Sequence, residues 1–476
     1  MVDIEAVNAN FDGITYAKGA SVLQQLAVYI GRDNFIAALK KYFAKHAFKN
    51  TTLDDLLREL EATSGRDLKP WVATWLQTAG VNTLRPEIEV VNNQYTKVNV
   101  IQEAPKIPSG SKELRPHRLA VGIYDTKGDK LIRRESVELD ISGTSTSVEG
   151  LIGEQLGDLL LINDKDMSYA KVRLDERSIS TLKTHIGKIE EDLTRSLLWA
   201  IIWDMMRDAE LSATDFIEIL LSGIEAETNI SVVTTLGAQL QSAIEFYAST
   251  KNRDALREKT ATKIYSILER ATAGGDFQLQ FTRIFASLAT SSQTKELKDL
   301  LSGKLSGLVL DLDMRWLLTN ALVERGALNE TDLDAELARD NSLSAQLSHA
   351  LGIAALPTTQ AKSDAWRKIT KEDMTSAFRE KTLQGFMRTT QRELLADWID
   401  PYFQNLLDMW GKKSYDISSS YVELCYPITQ ISQDLVDKTN QWIKANGASA
   451  AAGLLRLLGE SRDTVVRALA AQAKDL

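Results

Sequence analysis

Apolar positions along the chain change their period twice. Between about residue 14 and residue 80 they recur at helical spacing. Val22, Leu23, Leu26 and Ile30 fall on one face, and Gly31 supplies the stop. Phe35, Leu39, Tyr42 and Phe43 mark a second helix. Thr51 predicts the N-cap of a third, with Asp54 in the first turn, where the helix dipole favours an acid. Leu53, Leu56, Leu57 and Leu60 give its apolar face, and Gly65 its end. Trp71, Trp75 and Leu76 predict a fourth helix that closes before Gly80.

From about residue 83 to residue 165 the period becomes two. Ile88 alternates with Val90, Val98 with Val100, and Leu119 with Val121 and Ile123. Asp125 to Lys130, with Gly128-Asp129 inside, predicts a hairpin loop, and Leu131 to Leu139 its return strand. Asp158 to Ile162 predicts a last buried strand. Four of the eight prolines (Pro86, Pro105, Pro108 and Pro116) fall in this stretch, as expected for short strands joined by turns. The pattern predicts a small β-sandwich.

The remainder, 166–476, holds three prolines and returns to helical spacing throughout. Ser212 before Asp215, and Asn329 before Asp332, predict helix starts with reciprocal caps. No strict repeat is present, so the expectation is an irregular, HEAT-like stack of helix pairs rather than a consensus solenoid. Ala448 to Leu476 predicts an amphipathic packing helix. The fold class is thus mostly α and multidomain, with expected boundaries at 1–82, 83–165 and 166–476.

Composition narrows the function classes. The 476 residues carry a formal charge of −9 without a basic block, which disfavours nucleic acid, because binding phosphates needs clustered Lys and Arg. No apolar run approaches the roughly 18 residues of a membrane span, so no membrane partner is expected. Met-Val-Asp-Ile-Glu does not resemble a signal peptide, and the default location is cytoplasmic. The single cysteine, Cys425, cannot form an internal disulfide and reads as a small buried hydrophobe.

Chemistry-bearing motifs are sparse. None of the four histidines (His46, His117, His185 and His349) is followed by Glu, and no two stand three or four apart. The H-E-x-x-H pattern of a helical zinc site is therefore not found, nor is a glycine-rich phosphate loop or a G-x-S-x-G elbow. Trp199 and Trp203 lie one turn apart and read as core. Asp204 and Asp208 share their helix and are expected to pair with Arg207 or with other helices, while Lys188 to Arg195 reads as a solvated helix face.

A resemblance supplies more. Ile14-Thr-Tyr-Ala-Lys-Gly-Ala-Ser-Val-Leu23 resembles the catalytic-tyrosine segment of the aminopeptidase N family of gluzincin metallopeptidases, with Ala17 where that family usually has Glu. The likeness continues through Gly31, Phe35, Asn50-Thr-Thr, Ser64-Gly-Arg-Asp-Leu68 and Trp71-x-x-x-Trp75-Leu. It resumes at Asn163-Asp-Lys-Asp and Tyr169-Ala-Lys-Val-Arg-Leu-Asp175. Trp203-Asp-Met-Met-Arg-Asp208 is similar to the actinobacterial branch.

The resemblance implies the C-terminal part of a zinc aminopeptidase: the last helices of a thermolysin-like catalytic domain, a β-sandwich, and a helical cap over the active site. The family's zinc ligands and the loop that holds the substrate's amino group precede its tyrosine segment. The zinc of the intact parent is then expected on the missing N-terminal catalytic half, none on this chain, and the chain alone is expected to be inactive. Tyr16 is the one catalytic residue the resemblance carries over. A phenol keeps its proton near neutral pH and can donate to a developing oxyanion. Peptides are the expected substrates of the parent. Apolar surface is expected on residues 1–80, with dimerisation through it as an artefact. Two alternatives stay open: a non-enzymatic helical scaffold for protein partners, and a family member of different hydrolase specificity.

Overall fold

The computed structural model describes residues 14–106 and 109–476. The chain divides into two compact units, Met1–Asp204 and Met205–Leu476. In the first, a single π-turn, Ile14–Lys18, leads into α1 (Gly19–Ile30). Gly31 ends α1 at a φ of +89°, a region side chains rarely occupy, and its N–H returns to the Val28 carbonyl. Then come α2 (Arg32–His46), α3 (Leu53–Ser64) and α4 (Lys69–Leu76). Val22, Leu26 and Ile30 share a core with Ala38, Leu60, Leu68, Trp71 and Trp75.

Two details depart from the sequence pattern. Leu23, expected on the apolar face of α1, is exposed. The N-cap of α3 is Thr52, one residue later than expected: its N–H donates to Asp55 Oδ2 at 2.8 Å. Thr51 is engaged elsewhere, its Oγ1 lying 2.6 Å from the Tyr42 hydroxyl. Thr52 has an acid three residues on, which completes a reciprocal cap. The hydrogen bonds from Thr52 hold the Asp55 carboxyl below its ordinary pKa.

Seven strands follow: β1 (Thr83–Val91), β2 (Gln94–Glu103), β3 (His117–Lys127), β4 (Lys130–Ile141), β5 (Ser145–Ser147), β6 (Leu159–Asp164) and β7 (Lys171–Val172). They form two sheets, ordered β5-β2-β1-β7 and β4-β3-β6, with β1/β7 the parallel pair. Asn92 and Asn93, both at positive φ, make the two-residue turn between β1 and β2. Val90 does not share the half-buried setting of Ile88 but is exposed, because a register shift between Glu89 and Val90 breaks the alternation. β3 is central in its sheet and touches α1, so it is buried continuously from Leu119 to Tyr124.

After the strands come α5 (Glu176–His185), capped by Asp175, and α6 (Asp192–Arg207). The segment Lys188 to Arg195 is solvated only in part: Lys188, Glu190, Glu191, Asp192 and Leu193 are exposed. Ile189, Thr194 and Arg195 are buried. Arg195 bonds to the Ile189 and Glu190 carbonyls at 2.6 and 3.1 Å and to Asp192 at 2.5 Å. A mixed-charge run reads as exposed unless its arginine has carbonyls to close on.

The second unit is helical. Its helices pack mainly on sequence neighbours, either the next helix or the next but one, as in stacked helix pairs. Ser212 caps Ala213–Gly223 through the Asp215 N–H at 3.0 Å, and Asn329 with Asp332 makes the expected reciprocal cap. The helix Leu343–Ala355 meets Ser376–Phe386 at Gly385, where a Cβ would lie 2.1 Å from the Leu351 carbonyl oxygen. The helix Ala452–Lys474 buries Leu454, Leu458, Val465 and Ala468 and packs on the unit's first helix, Ala213–Gly223. Cys425 is buried, which raises its thiol pKa well above the ordinary value. Among the described residues no helix is long and apolar enough to cross a membrane.

Candidate active-site segment

Tyr16 lies in the π-turn ahead of α1 and is 70% exposed. Single π-turns are rare and recur at functional sites. The chain does not leave this turn unsupported. α1 is anchored by the end of β6 and the loop after it, where Asn163, Lys165 and Asp166 all have positive φ. Asn163 stabilises that loop itself: Oδ1 accepts the Ser168 N–H at 2.8 Å, and Nδ2 donates to the Ser168 carbonyl at 2.9 Å. From α1, Gln24 donates to the Asp166 carbonyl at 3.3 Å, and the buried Gln25 accepts the Tyr169 N–H at 3.3 Å. The Asn163-Asp-Lys-Asp and Tyr169 motifs thus hold the helix that follows Tyr16.

A second set of contacts fixes α4 to the sheets. Arg115 reaches the Thr74 and Ala79 carbonyls at 3.0 Å each, Thr78 Oγ1 at 2.6 Å and Asn82 Oδ1 at 2.9 Å. The Trp75 indole donates to the Pro116 carbonyl at 3.2 Å. Its ring meets His117 edge-on. His117 lies between Ser168 Oγ (2.6 Å) and Gln102 Oε1 (3.2 Å), and burial, followed by Arg115, lowers its pKa to about 3.

The other sequence candidates do not join Tyr16. Trp199 is buried and Trp203 half-buried, as core. Asp204 pairs with Arg173 at 2.7 Å, and Asp208 with Arg467 at 2.9 Å. The histidines sit on separate elements: His46 ends α2, His117 opens β3, His185 ends α5, and His349 pairs with Asp334 on a helix of the second unit. Among the described residues no three His, Cys, Asp or Glu side chains come together as a metal-binding group. Sequence reasoning missed a buried charge cluster around Glu245, in a second π-turn, Ala243–Tyr247. Its one signal was a glutamate set between Ile244 and Phe246 in an apolar run.

Comparison with known proteins decides the family. Residues 159–467, more than half of the chain, match the family described as ERAP1-like C-terminal domain, and residues 2–75 match the peptidase family M1 domain. Aminopeptidase N of Streptomyces lividans is 44% identical over 482 residues, covering 99% of this chain. The chain belongs to the family described as ERAP1-like C-terminal domain. Tricorn protease-interacting factor F2 of Thermoplasma volcanium is 23% identical over 50% of this chain and 28% of its own length. Among solved structures, Legionella pneumophila aminopeptidase A in complex with aspartic acid shares the fold, with a TM-score of 0.62 and 14% identity over 95% of this chain. The chain spans only part of these relatives: 56% of the Streptomyces protein and 57% of the Legionella chain.

Proposed function

We propose that this chain is the C-terminal part of a zinc-dependent aminopeptidase that releases N-terminal residues from peptides, and that Tyr16 is its contribution to catalysis. The observation that carries the reading is an exposed tyrosine on a π-turn, in the stretch that matches the M1 peptidase domain. Zinc polarises a carbonyl in such chemistry. The described residues do not fit a zinc site, since the four histidines are scattered over separate elements. The metal ligands belong to the part of the parent outside this chain, and what this chain does is confined to its own side chains. Tyr16 donates its hydroxyl proton in a hydrogen bond to the scissile carbonyl oxygen as negative charge builds there. The loop 163–169 keeps α1, and with it the π-turn, in place. The helical second unit, which carries most of the match to the ERAP1-like C-terminal domain, is the cap domain of the intact enzyme in this reading.

A second feature supports an incomplete catalytic layer. Ile36, Phe43 (64% exposed) and Leu53 leave apolar side chains exposed on the helices that match the M1 domain, and Phe48 does so in the turn between α2 and α3. A face of this kind is normally covered.

The test has two stages. Zinc content and hydrolysis of aminoacyl chromogenic substrates are measured first on the chain alone, where neither stoichiometric metal nor turnover is expected. Bound zinc with turnover would refute the assignment of the ligands elsewhere. In the complete enzyme, Tyr16→Phe is expected to lower kcat roughly 10²–10³-fold. An unchanged kcat would remove Tyr16 from the mechanism.

A further inference from the structure

In the second unit, the helix Gln433–Asn446 begins beside a hollow of about 430 Å³. Arg253, Arg392, Lys438 and Thr429 line it, and Asp434 is the one carboxylate among its described lining residues. Arg253 and Arg392 also wall a second hollow of about 840 Å³.

Three guanidiniums crowd one carboxylate here. Glu245, 2% exposed, offers Oε1 to Arg257 and Oε2 to Arg392, the latter at 2.6 Å, so both of its oxygens are taken. Arg253 has no carboxylate partner among the described residues. Its hydrogen bond is a long one, 3.3 Å, to the Ala248 carbonyl, and its solvent-shielded Nε has none. Burial, followed by the nearby Arg392, pulls its pKa below the ordinary arginine value. Lys438 is engaged by Asp400, and the lining sets three basic side chains, Arg253, Arg392 and Lys438, against the one carboxylate of Asp434. A guanidinium carries five N–H donors, and leaving them shielded and unpaired costs free energy. Thr429, 5% exposed, adds a hydroxyl without a hydrogen-bond partner. The helix Gln433–Asn446 adds first-turn N–H groups and the positive end of its dipole.

We propose that this hollow binds a small ligand bearing a carboxylate or phosphate group, clamped by Arg253 and Arg392 against the start of the helix Gln433–Asn446, with Lys438 completing the wall. The geometry matches what a planar, bidentate donor does best. The site lies wholly within the second unit, and its existence does not depend on the aminopeptidase reading.

Calorimetric titration of the chain with inorganic phosphate and, separately, with citrate tests it and distinguishes the two oxyanion classes. Saturable binding of at least one, with a Kd below about 1 mM, is expected. Arg253→Gln, shown to be folded by circular dichroism, is expected to weaken it at least about 10-fold. Lys438→Gln is expected to weaken it less, and added salt to weaken it further. If neither anion binds saturably, or a folded Arg253→Gln binds as tightly as the parent, the proposal is overturned. Should Arg253→Gln not fold, the part-exposed Lys438 decides: unchanged affinity in Lys438→Gln overturns it.

Discussion

Asp475 ties the last helix of the second unit to two helix starts. It is 4% exposed. Oδ1 accepts the Thr214 N–H at 2.7 Å, in the first turn of Ala213–Gly223. Oδ2 accepts the Ser249 N–H at 2.9 Å and Asn252 Nδ2 at 3.2 Å, just ahead of Arg253–Arg270. A carboxylate at two helix N-termini is doubly favoured by the dipoles. Hydrogen bonds to a charged group contribute about 1.5–3 kcal/mol each, and orphaning a buried N–H adds its desolvation cost. Asp475→Ala removes all three side-chain bonds, while the Asp475 backbone carbonyl keeps its bond from Asn252 at 2.7 Å. Water entering the vacated space recovers part of the loss. The expected destabilisation is therefore roughly 3–5 kcal/mol. Asp475→Asn, which keeps one acceptor oxygen but no charge, is expected to lose about half as much. Urea unfolding followed by far-ultraviolet circular dichroism measures both, with amide exchange at Thr214 and Ser249 as the local readout. A shift below about 1 kcal/mol for Asp475→Ala, with those two amides still protected, would refute the reasoning.

His117 makes the first unit acid-sensitive. Its folded pKa, about 3, lies below the ordinary 6.5, so as pH falls through 6.5 the unfolded chain takes up a proton that the folded chain refuses. Stability present above pH 6.5 is lost progressively down to about pH 3, by about 2 kcal/mol at pH 5. In urea melts across that window, His117→Gln is expected to show a shallower fall than the parent; parallel curves would count against the buried neutral imidazole. Gly385→Ala places a methyl group against a backbone carbonyl that cannot swing aside. It is expected to cost about 1–3 kcal/mol in thermal or urea unfolding. Gly411→Ala, with open space around it, is expected to be neutral or slightly stabilising in the same assay.

The elements were largely legible because burial on one face leaves a period in the sequence. Val22, Leu26 and Ile30 mark α1 and point into its core. The strands from Leu119 and Leu131 pair as their alternation implies. What periodicity cannot report is what covers a face. Leu23 and Phe43 fit their helical stripes and are exposed all the same. Nor does it show where a charge goes: Arg195 and Glu245 look like surface residues until their partners, distant in sequence or contributed by backbone, are in place. Thr51 and Thr52 are equally good caps by residue type, and Tyr42 decides between them. Tyr16 was singled out only through the family likeness of the residues around it. The histidines show the converse, since a residue type suited to metal binding serves at His117 as a hydrogen-bonded strut.

A linear array of helix pairs can fray from either end, because each terminal pair has a neighbour on one side only. In the second unit the helix Ala452–Lys474 packs on Ala213–Gly223, so the two ends of the array are neighbours of each other. Loosening either end then breaks contacts at both. The unit should melt as one block rather than by peeling, with exchange protection at its two ends lost together rather than in sequence order.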